Sequence, residues 1–190
     1  SYSFELRNTA LKYMKELSQK THKTIELSCL DRDQLILLEQ IPGKEDMAIY
    51  SRVGSIIPYL HAVSVGKVYL ALMDAEKRQR VLKKIGLPAL RKNTITDMNK
   101  LEEEICKTRN RGYGLDDQEL RDGVRRVAAP IFNSEGKNLG CIGLAATIFS
   151  FELEDIDKYG QMVLDSAKKI SAELGYEQTD YLNLKRDGIC

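Results

Sequence analysis

The 190-residue chain lacks several features that would narrow its function early. No apolar run approaches the ~20 residues that a membrane-spanning helix needs, and the start carries no signal-peptide pattern. Charge of one sign is also missing. The net charge is +1, with no basic stripe of the kind expected of a domain that holds DNA by itself. Only two histidines occur, His22 and His61, far apart in sequence. The four cysteines, Cys29, Cys106, Cys141 and Cys190, are scattered without a CxxC pair. They are expected to be free, mostly buried thiols in a reducing cytoplasm, and no metal is expected. No GxGxxG motif opens a helix, and no Gly-x-Ser-x-Gly elbow is present. Gly66-Lys67 lacks the first glycine and the hydroxyl residue of a phosphate loop. No cofactor is expected.

What remains is ordinary globular patterning. Hydrophobic residues make up 43% and charged residues 30%, so one soluble domain is expected. Leu6, Ala10, Met14 and Leu17 follow a helical period, with Ser3 as a plausible N-cap. Ile25, Leu27 and Cys29 alternate with polar residues, as in a half-buried strand. Asp31-Arg32-Asp33 turns the chain into a second strand, 34–41, which Pro42-Gly43 ends. A short third strand is expected over 47–51. After Ser64 a helical stretch leads to Met73. Asp74 and Asp97 are positioned to cap two further helices that Gly86 and Gly112 stop. Met98, Leu101, Ile105 and Thr108 form the inner face of the second. Strands over 124–132 and 138–148 flank a hairpin loop, and a last helix begins near Ser150, with Leu153 on its inner face. Hairpins and interspersed helices predict an α+β domain built on an antiparallel sheet.

One stretch stands apart. Tyr113-Gly114-Leu115-Asp116-Asp117-Gln118-Glu119 is followed by Gly123-Val124-Arg125-Arg126-Val127-Ala128-Ala129-Pro130. Adjacent charges running into an apolar strand must face water or line a cavity. Neighbours on an extended chain point to opposite sides, so Asp116 and Asp117 should not share one substrate, and Arg125 should point away from Arg126.

In this order and spacing, Tyr50-Ser51-Arg52-Val53-Gly54, His61-Ala62, Gly66-Lys67, Thr94-Ile95-Thr96-Asp97, Arg111-Gly112-Tyr113 and the stretch just quoted resemble the effector-binding domain of IclR-type bacterial transcription regulators. The resemblance covers roughly residues 4–176. It implies a GAF-like fold, a curved antiparallel sheet with helices on its faces. It also implies a single effector domain over 1–176, a polar tail over 177–190, and an N-terminal winged helix-turn-helix missing from this chain, through which DNA would be bound. The expected partners are a small organic-acid effector and further copies in a homodimer or homotetramer, in the cytoplasm and away from membranes.

The resemblance also implies where a ligand would sit. Backbone N–H groups of Ser64, Val65 and Gly66, at a helix start, would receive its carboxylate, a role that helix N-termini can play. Asp116 would face the pocket and accept hydrogen bonds from ligand hydroxyls. Many relatives have a ligand-facing cysteine where this chain has Arg126. That guanidinium is expected to pair with Asp116 in the empty state and with an anion in the filled one. Some acid-binding relatives have serines where this chain has Gly143 and Ala145, so the floor should be roomier and more apolar. Val124, Leu115 and Tyr59 are candidate walls.

The leading expectation is thus a metabolite-sensing and oligomerisation domain of a DNA-binding regulator, without catalytic residues. A GAF-like cysteine redox enzyme would need two thiols at an open pocket. A ligand-free dimerisation module would have its pocket filled by side chains.

Overall fold

The computed structural model describes residues 2–177. The order is α1 (Tyr2–Thr21), β1 (Thr24–Asp31), β2 (Gln34–Ile41), β3 (Ile56–Ile57), α2 (Ser64–Leu72), α3 (Ala75–Ile85), α4 (Met98–Arg111), β4 (Gly114–Asp117), β5 (Val124–Phe132), β6 (Asn138–Thr147) and α5 (Ile156–Glu173). All strands pair antiparallel in one curved sheet, ordered β3-β2-β1-β6-β5-β4. The α+β class and the GAF-like arrangement expected from the sequence are what the chain adopts.

Strand alternation divides the sheet into two faces. Ile25, Leu27, Val127, Ala129, Ile142 and Leu144 pack against Leu6, Ala10, Met14 and Leu17 of α1 and Val163, Ala167 and Ile170 of α5. On the other face, Ala128, Cys141 and Leu35 meet Val68 of α2, with α3 and α4 packed behind. Helices therefore cover one face fully and the other only in part, and the uncovered part becomes the site.

Two glycines let α2 approach the sheet. A Cβ on Gly66 would lie 2.1 Å from the Leu60 carbonyl oxygen, and one on Gly114 would lie 2.2 Å from that of Ser64. Neither space exists for any other residue. Asp74 and Asp97 cap α3 and α4, accepting from the N–H of Lys77 and Lys100 at 2.8 and 2.9 Å. Gly86 and Gly112 end those helices at positive φ, where a side chain would be strained.

The structure corrects several boundaries. Residues 47–51 form no strand, and the edge strand is Ile56–Ile57. Side chains take up the backbone groups of that segment instead: Thr24 Oγ1 donates to the Ile49 carbonyl (2.6 Å) and the Ser51 N–H donates to Gln40 Oε1 (3.1 Å). Helix α1 starts at Tyr2, so Ser3 lies within its first turn rather than capping it. A 3₁₀ turn, Leu153–Asp155, delays α5 to Ile156 and leaves Leu153 exposed. Met98, expected on an inner face, is likewise exposed. Cys29 and Cys141 are free thiols as expected, whereas Cys106 is disulfide-bonded. The expectations for Cys190 and for the tail beyond Glu177 lie outside the described residues.

Candidate functional site

The half-open sheet face, the start of α2 and the loop between β2 and α2 enclose a cavity of about 480 Å³, within the ~300–1,000 Å³ typical of small-molecule sites. Its floor is sheet: Glu26, Ser28, Leu35, Leu37 and Arg126. Val63 at the N-cap of α2 and Val65 within it form one wall, and Tyr50, Arg52, Ile57 and Tyr59 another, with Leu120 and Arg121 beside them.

Register explains how the polar floor is assembled. Asp116 on β4 lies opposite Arg126 on β5, which lies opposite Ala145 on β6. One pair along, Gly143 on β6 lies opposite Glu26 on β1. Residues directly opposite share a face, so Asp116, Arg126, Ala145, Gly143 and Glu26 all face the cavity side. Arg126 and Glu26 belong to strands separated by β6. They still meet, Nε to Oε1 at 3.3 Å, because β6 offers only a hydrogen and a methyl beneath them. The room expected above Gly143 and Ala145 therefore exists, but an ion pair bridges it. Glu26 Oε2 then accepts from Gln40 Nε2 at 3.1 Å, and Gln40 holds the Ser51 backbone. The floor is thereby tied to the loop that walls the cavity.

Arg126 is only 6% exposed, so it does not reach into solvent. Its Nη1 lies 4.0 Å from Asp116 Oδ2, beyond hydrogen-bond length, and neither atom has a hydrogen-bond partner among the described residues. The expected Asp116–Arg126 pair is thus a loose one, and the hydrogen bond goes to Glu26. Asp116 is fully buried and its Oδ1 accepts from the Glu119 N–H at 2.8 Å. Burial pushes its carboxyl up to about 6 against the pull of the Arg126 charge. Asp117 and Arg125 point the other way and pair with each other at 2.7 Å, as strand alternation requires.

Beside this floor lies a second charged cluster. Lys67, 1% exposed, brings Nζ to 2.8 and 2.9 Å from the two Glu119 oxygens and 2.7 Å from the Leu115 carbonyl. Burial pushes the Glu119 carboxyl up to about 7, with Lys67 opposing it. This cluster fixes the 115–119 segment to α2 and so sets where Asp116 stands.

Of the residues singled out from sequence, Val65, Arg126 and Tyr59 line the cavity. The first intrahelical bond of α2 runs from Lys67 N–H to the Val63 carbonyl, so the N–H groups of Ser64, Val65 and Gly66 lie ahead of it. The N-cap is Val63, not Ser64, and the buried Ser64 hydroxyl has no hydrogen-bond partner among the described residues. Gly66 serves the close approach to Leu60. Val124 and Ala145 pack with Ile49 in a small cluster on the same face. Leu115 is no wall, because it packs toward the α1–α5 core on the opposite face.

Glu26, Ser28, Gln40 and, Tyr59 apart, the 50–59 loop were not foreseen. Glu26 and Ser28 are the polar half of an alternating strand and read as a solvated face. The only hint was the pair of small residues at 143 and 145, whose register with β1 the sequence does not display.

Among the described residues no thiol stands activated at this site. Burial pushes the Cys141 thiol far up and the Cys29 thiol up as well, and His61 Nε2 is held by the Pro88 carbonyl at 2.9 Å.

A GAF-like sheet with one face opened into a small-molecule cavity defines a ligand-sensing class of domain. The family model "Bacterial transcriptional regulator IclR C-terminal" matches residues 2–172, and the chain belongs to that family. It is 32% identical over 163 residues to the regulator KdgR of Escherichia coli, covering 86% of this chain and 62% of that protein. The repressor IclR of the same organism is 27% identical over 164 residues, 85% and 60% of the two chains. Among solved structures, the C-terminal domain of E. coli KdgR superposes with a TM-score of 0.78 at 30% identity, over 90% of this chain and 99% of that one. The IclR protein of Thermotoga maritima gives 0.83 at 27% identity, over 90% and 69%. The chain thus spans about 60% of the length of these two E. coli regulators. These relatives are regulators of transcription, not enzymes.

Proposed function

We propose that the chain is the effector-sensing and oligomerisation part of a cytoplasmic DNA-binding regulator, and that its cavity takes a small anionic metabolite, a carboxylic or sugar acid. DNA would be bound through an N-terminal winged helix-turn-helix outside this chain. The single domain over 1–176 would bias how copies of the chain, in a dimer or tetramer, present those heads. A ligand can do this only by binding one arrangement better than another.

The observation that carries the reading is the cavity itself, about 480 Å³ and floored by a buried guanidinium whose Nη1 has no hydrogen-bond partner among the described residues. A ligand-free module would have filled that space with side chains. The acid end is assigned to the wall formed by the first turn of α2, where Ser64, Val65 and Gly66 offer backbone N–H groups and a partial positive charge. Arg52 and Arg121 line the same cavity.

A thermal-shift screen of the chain against short hydroxy acids, sugar acids and aromatic acids tests the reading. At least one class should raise Tm in step with the logarithm of its concentration, the added stability reaching about 2.7 kcal/mol at a hundredfold excess over Kd. Ser28→Phe, which fills the cavity from its floor, should abolish the shift. Stabilisation that survives Ser28→Phe would place the ligand elsewhere and refute the assignment.

A further inference from the structure

Resting on the effector reading, we infer that the floor of the cavity reads ligand hydroxyl groups rather than a carboxylate, and that Glu26 is the residue that sets this specificity. The preferred occupant is then a polyhydroxy monocarboxylate, with its acid end toward α2 and its hydroxylated end on the Glu26–Arg126 pair.

The argument begins with charge. Arg126 is the one cation among the sheet residues that line the floor, and Glu26 already pairs with it at 3.3 Å. A second carboxylate, that of Asp116, stands behind the same guanidinium at 4.0 Å. Two carboxylates share one cation, so an incoming carboxylate would find its counter-ion taken and meet two like charges. The floor is not a vacant anion receptor.

Hydrogen-bond character points the same way. Glu26 presents acceptors and Arg126 presents donors, side by side on one surface. A hydroxyl both donates and accepts, so neighbouring hydroxyls on a carbon chain can satisfy both at once. A carboxylate can only accept and would leave the Glu26 side facing a lone pair. A bare alkyl chain would bury both charged groups without replacing their solvent.

The pair is also fixed in place. Glu26 is held from behind by Gln40, and Gln40 by the backbone of the wall loop. Recognition of a hydroxyl at Glu26 would therefore reach the 50–59 segment through two hydrogen bonds.

The experiment uses three six-carbon probes and titration calorimetry on the chain. D-gluconate has one acid end and a hydroxylated end, D-glucarate has an acid at both ends, and hexanoate has no hydroxyls. The parent should bind gluconate at least tenfold tighter than either of the others. Glu26→Gln frees the guanidinium while keeping the side chain's size, and should move the glucarate-to-gluconate affinity ratio at least tenfold toward glucarate. A parent that binds hexanoate or glucarate as tightly as gluconate overturns the inference while leaving the effector reading intact. So does a Glu26→Gln ratio within threefold of the parent's. The probe ranking in the parent stands without the variant, so a misfolded Glu26→Gln would not shield the proposal. If no acid of any class binds, the effector reading fails and this inference falls with it.

Discussion

Replacing Lys67 by methionine should cost stability in a manner that depends on pH. Lys67 Nζ is 1% exposed and contacts both oxygens of Glu119, with Glu104 3.6 Å away and the Leu115 carbonyl at 2.7 Å. Methionine keeps the volume and removes the charge. At pH 8 the Glu119 carboxylate would then stand buried without its cation, a state that costs about 3–5 kcal/mol when one partner of a buried pair is deleted. Glu119 already holds its proton up to about pH 7, because burial outweighs the pull of Lys67. Without Lys67 its pKa moves higher still.

The sign follows from proton counting. Between the unfolded value near 4.5 and the folded one, the folded state binds more protons than the unfolded state, so stability falls as pH rises. In the variant that fall extends to higher pH. The penalty should therefore be greatest at pH 8 and shrink by pH 5 to about 1 kcal/mol, the worth of the lost hydrogen bonds. Urea unfolding at both pH values, with unchanged m, measures it. A Lys67→Met/Glu119→Gln double variant should recover most of the loss at pH 8, since it buries no orphan charge. A penalty below about 1 kcal/mol at pH 8, or one that does not vary with pH, would refute the assignment of Lys67 as the neutralising group.

Asp116→Asn should flatten another part of the same pH profile. The Asp116 carboxyl is pushed from 3.8 to about 6, so the parent loses roughly 2–3 kcal/mol as pH rises through that window, and a neutral amide would not. Gly66→Ala should destabilise by about 1–3 kcal/mol, because its Cβ would lie 2.1 Å from the Leu60 carbonyl oxygen; an unchanged Tm would show that α2 is free to shift.

The elements were legible where side-chain periodicity and caps decide them locally. Leu6, Ala10, Met14 and Leu17 mark the buried stripe of α1, and Asp74, Asp97, Gly86 and Gly112 bound α3 and α4 with the chemistry expected of caps and stops. The segment 47–51 was misread as a strand because its backbone is satisfied by the side chains of Thr24 and Gln40, a solution that leaves no periodic trace. Leu153 was misread because a 3₁₀ turn postpones α5. The match of Asp116 with Arg126 and of Asp117 with Arg125 was half visible: alternation on each strand told which pairs share a side, though not how close they come.

By itself, then, the sequence determined the α+β class, the family and the two-sidedness of the β4–β5 charges, since all three depend on residues near one another in the chain or on motifs in fixed order. Only the tertiary structure decided that Arg126 belongs with Glu26. Those residues lie 100 positions apart and on strands that are not neighbours. Their meeting requires a third strand between them with almost no side chain, in a register that sequence periodicity does not specify.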